Sequence, residues 1–131
     1  MTDDHLHVEL VAADRTVWSG SATMVIARTT EGDVGVLRGH APMLSLLTDA
    51  VVEIVRDDED EVIIAAADGG FLSVAGDRIS ILSEHVVLSE DIDIDEARAE
   101  LETARGLLPA DEAERRLRRA EARIRAVEKA R

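Results

Sequence analysis

Gly32-Asp33-Val34-Gly35-Val36-Leu37-Arg38-Gly39-His40-Ala41-Pro42 is the stretch on which the reading of this chain turns. Three glycines, a histidine and a proline crowd into eleven residues, with Val34, Val36 and Leu37 between them. The pattern is loop, short apolar strand, loop again. Glycine and proline punctuate a chain that turns back on itself. Neither GxxxxGK[ST] nor GxGxxG is present, so nothing here reads as a cradle for phosphates.

The segments on either side read as strands. Residues 5–12 alternate, with Leu6, Val8 and Leu10 on one face and His5, His7 and Glu9 on the other. That period of two predicts a half-buried strand. Val17-Trp18 is short and apolar, and Ser19-Gly20 is expected to break it. A second strand is expected over 21–28, centred on Met24-Val25-Ile26, and Thr29-Thr30-Glu31-Gly32 closes it. On the far side, Pro42 opens the compact apolar run Met43–Leu47. Val51–Arg56, Val62–Ala67, Phe71–Val74 and Arg78–Leu82 then follow, separated by Asp68-Gly69-Gly70 and Ala75-Gly76-Asp77. Val62–Ala67 is apolar throughout, the mark of a buried strand. Short strands between turn signals predict an all-β sandwich of eight to ten short antiparallel strands over residues 1–88.

The period changes after Leu88. Asp93 and Glu96 stand three apart, as N-cap and third helical residue do in a capping box. Ala97, Leu101, Ala104 and Leu108 then recur at helical spacing, Gly106 and Pro109 bracket a break, and Ala113, Leu117, Ala120, Ile124 and Val127 form a second narrow stripe. Residues 89–131 are therefore expected to form an antiparallel two-helix hairpin, a second unit after the sandwich. Alanine buries little area, so the hairpin's own interface gains little at ~25 cal/mol per Å². A weakly held appendage is expected.

Composition narrows the function. Of 131 residues, 46% are hydrophobic but only 2% aromatic, so the core must be aliphatic. There is no cysteine, which excludes disulfides and thiolate metal sites. The N-terminus, Met1-Thr2-Asp3-Asp4, is acidic and unlike a secretory signal. No apolar run approaches the ~18 residues of a membrane span. Formal net charge is −13, most of it in residues 1–88, which hold 16 acids against 5 bases. Nucleic acid and anionic lipid are poor partners for such a surface.

Little catalytic chemistry is visible. Serines lack an elbow motif, and the histidines at 5, 7, 40 and 85 do not cluster. His5 and His7 share a strand face without a third ligand nearby, so solvent-facing side chains are expected rather than a metal site. Asp57-Asp58-Glu59-Asp60-Glu61 lacks the spacing of a calcium loop and reads as a solvated hairpin tip. In the tail, Arg98 and Arg105 share one helix side and Arg119 and Arg123 another. Four guanidiniums on adjacent helices match a polyphosphate, and they equally match i,i+4 pairing with the many glutamates.

The stretch Gly32–Pro42 resembles the signature loop of the epsilon subunit family of bacterial F-type ATP synthases, and Asp68-Gly69-Gly70-Phe71-Leu72-Ser73-Val74 is similar to that family's second block. The resemblance covers the chain in order, sandwich then hairpin. Arg38 departs from the pattern, since many members carry proline there. The resemblance implies a non-catalytic rotor subunit at the foot of the central stalk, with no catalytic residues, no metal and no required cofactor. Its partners would be the gamma subunit, the c-ring and, when the hairpin extends, the alpha/beta catalytic head. It would couple proton-driven rotation to ATP synthesis and restrain ATP hydrolysis through its helices. It would lie at the cytoplasmic face of the bacterial membrane, attached only through the complex. Asp33 and His40 match the part that faces the c-ring. Ile94-Asp95-Glu96-Ala97-Arg98-Ala99 matches the family's Ile-Asp-x-x-Arg-Ala motif for ATP as a regulatory ligand. Arg105, Arg119 and Arg123 match that site's basic positions, and Glu90 is the nearest candidate for its upstream glutamate. A free-standing binding module with a helical tail, or a nucleotide-binding regulator acting elsewhere, would share the same pattern. Co-purification with gamma separates them.

Overall fold

The computed structural model describes residues 5–56, 61–105 and 110–130, with residues 110–112 as backbone only. Ten strands form two five-stranded sheets. The first sheet runs β2 (Thr16–Ala22), β1 (Leu6–Val11), β9 (Arg78–Leu82), β8 (Phe71–Ala75), β5 (Met43–Leu46). The second runs β10 (Val86–Leu88), β7 (Val62–Asp68), β6 (Asp49–Val55), β3 (Met24–Thr29), β4 (Gly32–Leu37). A 3-10 turn at Ser89–Asp91 leads into α1 (Ile94–Arg105), and α2 (Ala110–Ala130) follows. The pairings are antiparallel except β1 with β9, which is parallel and brings the first strand back beside the last strand of its sheet.

Alternation builds the core. Leu6, Val8 and Leu10 of β1 point inward with Leu72 and Val74 of β8 and Ile79 and Ile81 of β9. From the second sheet, Val25, Val36, Val52 and Ile54 meet them. Each such aliphatic side chain removed from water contributes on the order of 1.5–3 kcal/mol. The core is aliphatic, as the composition requires. Trp18 only flanks it, with the Arg56 guanidinium 5.4 Å from its ring centre.

Three local expectations change. Ser19-Gly20 does not end a strand: β2 continues through both to Ala22. A Cβ at Gly20 would stand 2.8 Å from the Trp18 ring, so glycine here makes room for the indole rather than a turn. Ser21 and Ala22 accordingly belong to β2, and the next strand begins at Met24. Gly32 and Asp33 are not loop residues but the start of β4, paired with Thr29 and Arg28. The acidic tip at 57–60 and the break at Gly106–Pro109 lie outside the described residues.

β7 is buried on both faces. Ala65 and Ala67 look into the sandwich, opposite Val52 and Ala50 in register. Ile64 and Ala66 look outward, yet they too are buried, because Ala126 of α2 covers them together with Val51 and Ile92. The hairpin thus lies on the outer face of the second sheet, along β6 and β7. Among the described residues, no helix covers the outer face of the first sheet. Leu46, Phe71 and Leu82 are register neighbours across β5, β8 and β9 and stand exposed in one row.

Candidate functional site

The seat of the hairpin joins strands from the middle of the chain to the C-terminal helices. Asp93 caps α1, its Oδ1 accepting the amides of Asp95 at 3.0 Å and Glu96 at 3.1 Å. A carboxylate there satisfies two orphan donors and favours the helix N-terminus. Ala97 and Ala104 of α1 and Ala113 and Ala120 of α2 are buried, as the stripes predict. Ala122 and Ala126 are also fully buried, and no stripe announced them. They form a second face of α2, turned to the sheet. The seam is therefore two seams, one between the helices and one against the sheet.

Around those alanines the contact is ionic. The outer face of β6 and β7 presents Asp49, Glu53 and Asp68, and α2 answers with basic residues. Arg118 Nε lies 3.8 Å from Asp49 Oδ2, and Lys129 Nζ lies 3.7 Å from Glu53 Oε2. At the centre, Asp68 Oδ2 is shared. Arg123 Nη2 donates to it at 3.2 Å, and Arg119 Nε stands 3.3 Å away. Arg123 Nη1 also donates to Glu100 Oε2 of α1 at 3.3 Å, so one guanidinium ties both helices to the sandwich. The Asp68 side chain is only 4% exposed, and its Oδ1 has no hydrogen-bond partner among the described residues. Burial pushes its carboxyl above the ordinary aspartate value, against the pull of Arg123 and Arg119. Asp49 adds to the rise and His85 opposes it. Desolvation outweighs attraction here, as it commonly does for buried ion pairs.

The turn after Asp68 is fixed. Gly70 adopts φ 103°, and a Cβ on it would lie 2.0 Å from the Leu82 carbonyl. Only glycine fits, so the end of β7 is held at a set distance from β9.

The residues singled out from the sequence fall into separate places. Asp33 is exposed at the start of β4, and His40 lies beyond its end. With ~3.3 Å per strand residue, the two lie towards opposite ends of β4. At the His40 end, Asp77 adopts φ 61° in the β8–β9 turn, a conformation aspartate tolerates. Its Oδ1 accepts the Gly39 amide at 2.7 Å, and its Oδ2 lies 3.8 Å from Arg38 Nε. The unusual Arg38 is thereby used to clasp the loop. His40 Nδ1 is 2.7 Å from the Ala41 carbonyl.

The tail arginines do not converge either. Arg119 and Arg123 meet at Asp68. Arg98 and Arg105 are exposed on the flank of α1 roughly opposite Glu96, Ala99, Glu100 and Thr103, by the 3.6-residue turn, and Arg105 donates to Glu102 at 2.8 Å. Ile94 opens α1 half-buried, Asp95 follows it at the surface, and Glu90 is exposed in the 3-10 turn, beside a hollow lined by Trp18 and Glu61. Two clefts border the seat. One of ≈ 420 Å³ is lined by Glu96, Ala99, Glu100, Thr103, Arg116 and Arg119. The other, ≈ 160 Å³, includes Val87, Asp93, Ala97 and Arg123. No group of three or more potential metal ligands occurs among the described residues, and none of their helices is long and apolar enough to cross a membrane.

Asp68 is what sequence reasoning missed. A charged residue terminating the run Val62–Ala67 was the available signal, but its partners are up to 55 residues away.

Ten strands in a two-sheet sandwich, with a helical pair seated on one outer face, define the architecture. The comparisons specify it. The family model described as ATP synthase, Delta/Epsilon chain, beta-sandwich domain matches residues 5–89. The ATP synthase epsilon chain of Streptomyces griseus is 52% identical over 122 residues, covering 93% of this chain and 94% of that one. That of Rhodococcus jostii is 47% identical over 123 residues, covering 94% and 96%. The chain belongs to the ATP synthase delta/epsilon chain family, whose members are subunits of the complex other than its catalytic one. Among solved structures, a chain of the Euglena gracilis mitochondrial ATP synthase (OSCP/F1/c-ring, rotational state 1) aligns with a TM-score of 0.80 at 24% identity, covering 98% of this chain and 82% of that one. A chain of the Tetrahymena thermophila central stalk/c-ring aligns with a TM-score of 0.60 at 15% identity, covering 95% of each. At these identities they establish the fold.

Proposed function

We propose that this chain is a central-stalk subunit of a bacterial F-type ATP synthase, joined to the gamma subunit through the outer face of its first sheet. The observation that carries this is the uncovered row Leu46–Phe71–Leu82, with Leu44 71% exposed beside it. An apolar face of that kind marks a docking surface. It lies opposite the face the hairpin occupies, so both can be engaged at once. The chain reaches the cytoplasmic side of the membrane through its partners alone. Replacing Phe71 with glutamate should abolish co-purification with gamma while leaving the sandwich folded. Full retention of the complex would refute the assignment of this face.

Contact with the c-ring belongs to one end of the sandwich, and the acidic end is the better complement to basic and polar ring loops. Glu31 and Asp33 are there. Asp33→Ala should then weaken rotational coupling, and His40→Ala should act on the clasped loop at the other end. Equal effects would argue against a single ring-facing end.

The hairpin is the regulatory part. Docked, it is withdrawn; extended, it would bring the arginines of α2 to the alpha/beta head and restrain hydrolysis. A second reading concerns ATP as its regulatory ligand, favoured by the ≈ 420 Å³ cleft, which holds Ala99 and Arg119 of the motif positions and adds Arg116. A nucleotide that binds only the docked hairpin would shift the population toward it. Titrating the chain with ATP while following residues 94–123 by NMR tests this. Shifts lost in Arg119→Ala point to the cleft, and shifts lost in Arg98→Ala to the other flank. No shift at millimolar ATP ends the reading.

A further inference from the structure

Asp68 is the polar centre of an otherwise alanine-lined interface, and its two oxygens are treated differently. Oδ2 meets Arg123 at 3.2 Å and Arg119 at 3.3 Å. Oδ1 is buried with no donor within reach among the described residues. An ionised carboxylate is acceptor-only, so one of its oxygens is desolvated without compensation when α2 is seated. Protonation makes Oδ1 a hydroxyl and removes the charge that both oxygens share, so the desolvation cost falls while Oδ2 still accepts from Arg123. When α2 leaves, the outer face of β7 returns to water and both oxygens are solvated.

We propose that the hairpin docks with uptake of a proton by Asp68, so that acid tightens the seat and alkali loosens it. This concerns the chain's own docking equilibrium and needs neither a stalk partner nor a nucleotide. The raised carboxyl has the matching sign. Free of α2, Asp68 regains water and titrates lower than it does when seated, where burial raises its carboxyl. The extra docking stability is therefore complete below the free value and is lost as pH rises through the docked one.

The charged groups around Asp68 are few. Arg119 and Arg123 face it from α2, with Glu100 of α1 behind Arg123. Asp49 of β6 is its register partner and stays beside it whether or not α2 is docked. His85, in the turn before β10, is the remaining neighbour, its carbonyl accepting the Asp68 amide. Histidines change charge in a nearby pH range, so His85 must be tested separately. For the chain in an operating complex, the proposal makes release of the arm responsive to the pH around it.

The chain has no cysteine, so spin labels at Thr30→Cys and Glu121→Cys would report the position of α2 alone by double electron–electron resonance. Between pH 4 and 8 the docked-to-undocked ratio should fall as pH rises, by up to about tenfold per pH unit inside the titration window. Asp68→Asn, which keeps the shape without the charge, should stay docked across the range and lose the pH dependence. His85→Gln should retain it. A docked fraction independent of pH overturns the proposal. So does a dependence that survives in Asp68→Asn, or one that disappears in His85→Gln.

Discussion

The two outer faces of the sandwich are made from the same kind of strand and are finished in opposite ways. On the second sheet, Ala66 lies beneath Ala126 with Ile64 and Val51 beside it, and Asp49, Glu53 and Asp68 meet the cations of α2. On the first sheet, large aliphatic and aromatic side chains stand bare in a row. Small residues let a helix approach closely, and acids on the seat select the basic side of that helix. Large bare side chains wait for a surface from outside. The difference separates a face covered by the chain's own helices from one that is left exposed.

Substitutions can break that contrast from either side. Ala66→Leu should have the largest effect. It adds bulk directly under Ala126 on the outer face, where overpacking costs about 1–3 kcal/mol. Loss of amide protection confined to α1 and α2, with the sandwich unaffected, is the expected result of hydrogen exchange. A uniform loss would show that the two parts unfold together. Asp93→Ala comes next, removing the cap of α1 at a cost of about 1 kcal/mol, visible as fraying of residues 94–97 by NMR. Lys129→Ala removes a half-exposed pair at the rim, worth under about 1 kcal/mol and screened by salt. Its effect on docking should vanish at high ionic strength, whereas the buried Asp68 cluster should be far less sensitive. Phe71→Ser, on the bare face, should cost thermal stability less than the core substitutions do, about 1 kcal/mol or less, since Phe71 is 46% exposed.

The sandwich was legible because burial on one face writes itself as alternation. Leu6, Val8 and Leu10 against His7 and Glu9 is enough to predict β1. β7 announced burial on both faces by being apolar throughout, but a sequence does not say what covers a strand. The cover was hard to see, because the second face of α2 consists of Ala122 and Ala126 set among charges, and alanine carries little hydrophobic signal. Asp68 and its arginines were unreadable as a cluster, since ion pairing across 55 residues leaves no local pattern. The grouping of Arg98 and Arg105 with Arg119 and Arg123 comes from the family resemblance, not from helical spacing. Spacing fixes which residues share a side of one helix, not how two helices are rotated about their own axes. Gly20 misled for a similar reason: a glycine that accommodates an indole looks, in one dimension, like one that turns the chain.

The Gly69-Gly70 turn has a further consequence. Asp68 ends β7 on the covered face, and Phe71 begins β8 on the bare one. The chain crosses between the sheets in two residues, and Gly70 is wedged against the carbonyl of Leu82, itself part of the bare row. The two surfaces lie on opposite sides of the molecule, yet along the backbone they are neighbours. A displacement of Phe71 by whatever settles on it has the length of one tight turn in which to fade before it arrives at the carboxylate that holds the arm.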